Sequence, residues 1–147
     1  MAVDVETSIE MEAPLEAVAG YAMDPDNAPL WYANIKSITW RTDPPLAVGS
    51  RLDFVAQFLG RRLAYTYEVV ECVADERLVM RTTQGPFPMQ TSYRFEAISD
   101  RRTRMILRNS GEPAGFARLT APIMASAMRA ANRKDLAKLK RLVEDLG

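Results

Sequence analysis

Alternation of polar and apolar residues fills the middle of this sequence and constrains its fold more than any other feature. The clearest run covers residues 85–97, where Phe87, Met89, Thr91, Tyr93 and Phe95 alternate with a proline and then with polar side chains. A period of two places successive side chains on opposite faces of a β-strand, so this segment has one apolar and one polar face. Similar segments, separated by short turns, cover residues 35–41, 49–59, 62–73, 77–83 and 101–109. The sequence therefore predicts a meander of six strands.

Other elements flank this meander. Val3–Met11 alternates in the same way and predicts a first strand, and LEAVAGYA after Pro14 predicts a short helix. Asp26 is placed to cap a second short helix running toward Trp31, and Gly60-Arg61 to form a tight hairpin turn. Residues 114–146 change to a helical period, with Pro122 expected to kink or restart the helix near Ala121.

The order of these elements predicts an α+β fold. A long meander must curl, and its apolar face needs a cover. Only the C-terminal helix is long enough to lie across it. We therefore expect one domain over residues 1–147, in which a seven-stranded antiparallel sheet curls around the long C-terminal helix, with two short helices after the first strand.

Composition excludes several classes of function. The 147 residues contain no histidine and a single cysteine, Cys72, so Ser–His and Cys–His nucleophiles and histidine-based metal sites are ruled out. No glycine-rich phosphate loop is present. The 19 basic and 19 acidic residues balance, which argues against a nucleic-acid partner. We expect no cofactor and no bound metal.

The sequence also bears on where in the cell the protein is expected. The N-terminal residues are acidic and alternating and do not resemble a secretion signal. The longest nearly apolar run, residues 119–128, has about half of the roughly 20 residues that a membrane span needs. A lone cysteine indicates no internal disulfide. We expect a cytoplasmic protein that does not insert into membranes; its oligomeric state is left open.

Large apolar and aromatic side chains should meet between the sheet and the C-terminal helix. They either pack as a solid core or line a cavity. Buried tyrosine hydroxyls need hydrogen-bond partners, methionines suit adaptable linings, and the helix offers small alanines opposite them, all of which favour a cavity. The candidate ligand-binding residues are Trp31, Phe54, Phe58, Tyr65, Tyr67, Met80, Phe87, Met89, Tyr93, Phe95, Met105, Met124 and Met128.

Three segments, residues 10–35, 48–87 and 131–144, carry a resemblance to a known family. With the order of elements they resemble the helix-grip fold of the SRPBCC superfamily, which includes START lipid-transfer domains, birch-pollen-allergen-like proteins and polyketide cyclase/dehydrase proteins. The resemblance covers essentially the whole chain, and Trp31 stands where family members often have an aromatic residue. It implies that an apolar small molecule (a lipid, polyketide or isoprenoid-like compound) binds between sheet and helix.

Two other functions remain open. One is a polyketide cyclase or dehydratase, in which Tyr65, Tyr67 or Tyr93 would supply a proton and Arg81, if it points inward, would hold an enolate. No pair of carboxylates stands out on the inner face, since Asp53, Glu68 and Glu71 have the outer parity. The other is a protein-interaction module like the chaperone activators of the superfamily, which would need an exposed apolar patch.

Overall fold

A computed structural model describes residues 3–112 and 120–146 of the chain. Three helices are present in this part: α1 (Leu15–Ala22), α2 (Ala28–Trp31) and α3 (Ala121–Leu146), with one 3-10 turn, Pro25–Asn27, directly before α2. The strands are β1 (Val3–Met11), β2 (Ile35–Trp40), β3 (Arg51–Phe58), β4 (Arg61–Val73), β5 (Arg77–Gln84), β6 (Met89–Ser99) and β7 (Arg102–Gly111).

The seven strands form one antiparallel sheet in the order β1-β7-β6-β5-β4-β3-β2. Consecutive strands from β2 to β7 are neighbours, as in a meander, and β1 completes the sheet beside β7. The sheet curls around α3, and the short helices follow β1. The predicted helix-grip fold is therefore confirmed.

Strand faces follow the alternation of the sequence. In β1 the buried Val3, Val5 and Met11 alternate with exposed acidic residues, and β3 buries Leu52, Phe54 and Ala56 in the same way. The loss of alternation near the end of β4 coincides with a register shift between Val69 and Glu71. That shift is the bulge expected where two residues of one strand oppose one of the next.

Three local predictions need correction. The hairpin between β3 and β4 turns at Leu59-Gly60, not Gly60-Arg61, because both residues have positive φ, 52° and 76°. A two-residue hairpin turn with the favoured twist requires this conformation at both positions. The side chain of Asp24, not Asp26, caps the 3-10 turn by accepting a hydrogen bond from the Asp26 N–H (3.0 Å).

The third correction concerns the start of β6, whereas α3 begins at Ala121, as the predicted restart at that point requires. β6 begins at Met89, so Phe87 and Pro88 belong to the preceding turn. Pro122 is the second residue of α3, where the first turn tolerates proline because its missing N–H would have no partner there. The part of the predicted helix over residues 114–119 lies outside the described residues.

The main core lies between the inner face of the sheet and α1, α2 and α3. Leu136, Leu139 and Val143 of α3 are at most 2% exposed, and they belong to one cluster with side chains from the sheet such as Leu78 and Met105. A second, smaller cluster joins Val3 and Val5 of β1 to Ala121 at the start of α3. α3 is thus held along its length, which fixes the residues between its two ends relative to the sheet.

Candidate functional site

A cavity of about 130 Å³ lies between the inner face of the sheet and the middle of α3. Its wall is mostly apolar and aromatic, with a few polar groups. Nine of the predicted ligand-binding residues line it: Phe54, Phe58, Tyr65, Tyr67, Met80, Phe87, Met89, Tyr93 and Met128. Ala131 contributes the small side chain that leaves room on the helix side.

The other four candidates do not line the cavity. Trp31 is fully buried at the end of α2, with its ring stacked on Tyr32 at 3.9 Å between centroids. Phe95 and Met105 face each other on β6 and β7 within the main core, at 5% and 0% exposure. Met124 packs against the smaller core cluster. Alternation identifies the inner face of a strand, but not how closely the helix approaches at each position, so it could not separate core from cavity wall.

The prediction that Arg81 could hold an enolate in the cavity also needs correction. It follows the inward-facing Met80 on β5 and is therefore exposed on the opposite face of the sheet. Its Nε donates a hydrogen bond to Gln90 Oε1 on the neighbouring strand (2.7 Å). The guanidinium group is consequently part of the outer surface and does not reach the cavity.

The outer face of the sheet carries ion pairs, in agreement with the predicted parity of its carboxylates. Asp53 pairs with Arg41 at 2.6 Å, and Glu68 pairs with Arg51 at 2.9 Å. A hydrogen bond from the Thr66 hydroxyl, assisted by Arg41, lowers the pKa of Asp53 against the opposing effect of partial burial. These carboxylates are engaged on the surface and are not available to the cavity.

A chain of hydrogen bonds crosses one side of the cavity from β4 to β7. Thr91 donates its only hydroxyl hydrogen to Asn109 Oδ1 (2.7 Å), so Tyr67 must donate to Thr91 Oγ1 (2.7 Å). Burial raises the pKa of Tyr67 to about 12, although the bond to Thr91 opposes the rise. The Tyr67 hydroxyl is therefore neutral and already committed as a donor, which makes it a poor source of a proton for a ligand.

A second hydrogen-bonded group joins the loop before β2 to β6. The hydroxyls of Tyr32 and Tyr93 lie 2.8 Å apart, and either can be the donor. Burial raises the pKa of both groups above the ordinary value. Since one hydroxyl donates to the other, the pair keeps one hydrogen that it can offer elsewhere. Tyr32 was not among the sequence candidates.

Asp135 is the main candidate residue that the sequence analysis did not identify. It lines the cavity from α3, is 3% exposed, and accepts a hydrogen bond from the Ala33 N–H through Oδ1 (3.1 Å). Burial raises its pKa from 3.8 to about 6, and the Ala33 N–H and the Lys138 charge offset only part of this rise. Its position three residues after Asn132, beside Leu136 on the apolar stripe, is the signal that could have revealed it.

Asn132 provides a second polar group on the same face of α3. The residue is 4% exposed and lines the cavity, and within the described part of the chain its Nδ2 has no hydrogen-bond partner. A buried donor without a partner costs about 1–3 kcal/mol of stability. Buried polar groups in proteins are nearly always paired, so an amide donor that no described residue satisfies and that faces a cavity indicates a bound partner.

Metal-binding clusters and membrane-spanning helices are both absent from the described residues. Within residues 3–112 and 120–146, no three Cys, Asp or Glu side chains are grouped so that they could hold a metal ion. In the same part of the chain, no helix is both long and apolar enough to cross a membrane.

Comparison with solved structures reveals the same fold in proteins of distant sequence. A protein of Thermus thermophilus has a TM-score of 0.84 at 19% identity, with 98% of this chain and 99% of that chain covered. The Zhui aromatase/cyclase of a Streptomyces species has 0.80 at 15% identity, covering 96% and 93%. A START superfamily protein of Mycobacterium smegmatis has 0.81 at 16% identity, covering 98% and 99%. At these identities the likeness concerns the fold alone.

Sequence comparison gives the family. No curated protein sequence matches this chain significantly. The model of the family described as polyketide cyclase / dehydrase and lipid transport matches residues 2–144, which is nearly the whole chain. Together with the order of strands around α3, this match means that the chain belongs to the polyketide cyclase/dehydrase and lipid transport family, within the SRPBCC superfamily of START-like proteins.

Proposed function

We propose that the protein binds an apolar small molecule, or the apolar end of a longer lipid, polyketide or isoprenoid-like molecule, in the cavity between the sheet and α3. The observation that carries this proposal is the aromatic and methionine-rich wall around about 130 Å³ of space. This volume is below the roughly 300 Å³ of ordinary ligand pockets. It is close to that of an apolar cavity of about 150 Å³ that holds benzene in another protein.

The energy of an empty cavity supports an occupant. At about 24 cal/mol per Å³, an empty and rigid volume of 130 Å³ would cost about 3 kcal/mol. That is a large fraction of the total stability of about 5–15 kcal/mol that is usual for a domain. A ligand that fills the space would recover much of this energy through dispersion contacts with the wall.

Blocking the cavity tests the proposal. We expect the parent protein to bind toluene. Binding is measured by the chemical-shift changes of the methyl groups of Met80, Met89 and Met128. Ala131→Phe should abolish these changes because its ring would occupy the space. Ala130→Phe is the matched control, since Ala130 is exposed on the other side of α3. If toluene leaves the parent spectrum unchanged, or if both variants respond as the parent does, the cavity does not bind ligands.

A polyketide cyclase or dehydratase is the second candidate function, and Asp135 is the observation that favours it. A carboxyl group with a pKa of about 6 is suited to proton transfer near neutral pH. The Tyr32–Tyr93 pair could donate one hydrogen bond to a developing oxyanion. An aromatase/cyclase with the same fold makes this chemistry a reasonable one to test.

If the protein is such an enzyme, Asp135→Asn should lower turnover of a poly-β-ketone thioester by about 100-fold or more. Acting as a base, Asp135 would make turnover rise through about pH 6 and then level off, because the carboxylate must be ionised. Asp100→Asn, in the exposed turn between β6 and β7, is the control. Full activity of Asp135→Asn would exclude Asp135 as the catalytic base. The protein-interaction function stays a prediction.

A further inference from the structure

We infer that the cavity selects an uncharged, single-ring compound whose phenol-type hydroxyl accepts a hydrogen bond from Asn132 and donates one to Asp135. This inference rests on the proposed binding function and specifies the ligand chemistry. It is carried by two polar side chains on one face of α3, one of which has an amide nitrogen with no hydrogen-bond partner among residues 3–112 and 120–146.

Asn132 indicates that the ligand carries a hydrogen-bond acceptor. Its Nδ2 is buried and receives no hydrogen-bond partner from the residues that the structure describes, while the residue lines the cavity. No sequence feature explains why a buried position on an apolar helix stripe carries an amide. A ligand oxygen that accepts from Nδ2 would satisfy this donor, so a ligand that lacks an acceptor, such as a pure hydrocarbon, leaves binding energy unused.

Asp135 indicates that the ligand also carries a hydrogen-bond donor. It lies three residues after Asn132, so the two side chains start about 5–6 Å apart on adjacent turns of the helix. The Ala33 N–H binds one carboxylate oxygen, Oδ1. A carboxylate has more acceptor positions than this one bond occupies. A hydroxyl accepts and donates at the same atom, whereas a ketone only accepts and an ammonium group only donates.

The charge of the wall excludes acids. Among the described residues that line the cavity there is no Lys or Arg, and Asp135 is the only charged group. A ligand carboxylate would therefore be buried without a counter-ion and beside another carboxylate, which is strongly unfavourable. A fatty acid with its head group inside the cavity is thus disfavoured. An ammonium group would suit Asp135, but it would leave the Asn132 donor unpaired.

Four probes of similar size separate these possibilities. We expect p-cresol to bind about tenfold more tightly than toluene at pH 7.5, since one or two hydrogen bonds to buried groups are gained. Benzylammonium should bind more weakly than p-cresol, and p-toluate should not bind measurably. Titration calorimetry and chemical shifts measure all four with the full chain. Toluene serves as the internal control because it tests the cavity without its polar groups.

The decisive variant is Asn132→Ala. It should reduce the advantage of p-cresol over toluene to about twofold or less, while toluene binds as well as it does to the parent. It should also raise the melting temperature of the free protein, because an unpaired buried amide is removed and alanine favours the helix. Asn109→Ala is the matched control: its amide oxygen already has a partner in Thr91, so this change should lower the melting temperature.

Each result is informative. If toluene binds and p-cresol binds no better, or if Asn132→Ala keeps the p-cresol advantage, the inferred hydroxyl contact is wrong while the cavity still binds ligands. If benzylammonium binds most tightly, Asp135 is a counter-ion for cations and the inference fails. If none of the four probes binds, the proposed function fails and this inference fails with it.

Discussion

Phe95→Ala should lower the free energy of unfolding by about 3–5 kcal/mol, the range observed when a large buried aromatic side chain is removed from a close-packed core. Phe95 is 5% exposed, its ring meets that of Tyr93 edge-on at 6.5 Å between centroids, and it does not line the cavity. The surrounding side chains are held by both the sheet and α3 and have little freedom to fill the space. Denaturant unfolding monitored by circular dichroism measures the loss.

Phe58→Ala is the matched control for this prediction. Phe58 lines the cavity and is only partly buried, so part of its ring already faces open space. We expect this change to cost about 1–2 kcal/mol, because fewer packing contacts are lost. Equal losses for the two variants would contradict the division of the inner face into a solid core and a cavity wall.

Asp135→Asn should raise the free energy of unfolding at pH 7.5 by up to about 3 kcal/mol. The pKa of Asp135 rises from 3.8 to about 6 on folding because the carboxylate is buried. At about 1.36 kcal/mol per pH unit, this difference is the free energy by which the ionised group destabilises the folded state. Asparagine keeps an oxygen that can accept from the Ala33 N–H, but it has no charge to desolvate.

The sign of the pH dependence follows from the raised pKa. Between about pH 4 and pH 6 the folded state binds more protons at this site than the unfolded state does, so the site's contribution to stability falls as pH rises. Above about pH 6 to 7 the contribution is constant. The stability difference between Asp135→Asn and the parent should therefore be small at pH 4, grow through this window, and level off near neutral pH.

Asp4→Asn is a control for which we expect the opposite change in the free energy of unfolding. Hydrogen bonds from Arg108, reinforced by its charge, lower the pKa of Asp4 against the opposing effect of burial. Removal of this carboxylate should destabilise the protein at neutral pH, and the effect should fade as pH falls through the lowered pKa. If Asp135→Asn shows no gain in stability, or the same gain at pH 4 and pH 7.5, then Asp135 is not a buried carboxylate with a raised pKa.

The sequence was sufficient to predict the fold because the relevant signals are local. The alternation in Val3–Met11 matches β1 residue by residue, and LEAVAGYA matches α1. The change of period near the C-terminus identified α3. Pro122 is compatible with both a kink and a helix start near Ala121, and α3 begins at Ala121. The hairpin turn was predicted one residue too late because Leu59 adopts positive φ, a conformation that a leucine side chain does not favour.

The candidate site was only partly predictable. Tyr65, Met89 and Met128 line the cavity as expected, whereas Phe95 and Met105, with the same parity and similar side chains, belong to the core. Periodicity reports the direction of a side chain from its strand. It contains no information on the distance to α3, which depends on residues far away in the sequence.

What the sequence by itself determined is therefore the set of elements and the face on which each side chain lies, because both depend on backbone geometry over a few residues. What only the tertiary structure decided is the polar chemistry of the cavity. The rotation of α3 about its axis brings Asn132 and Asp135 toward the sheet, and the Ala33 N–H reaches Asp135 across 102 positions of sequence. Burial at that point, which arises only when sheet and helix meet, raises the Asp135 pKa and leaves Asn132 Nδ2 without a partner among the described residues.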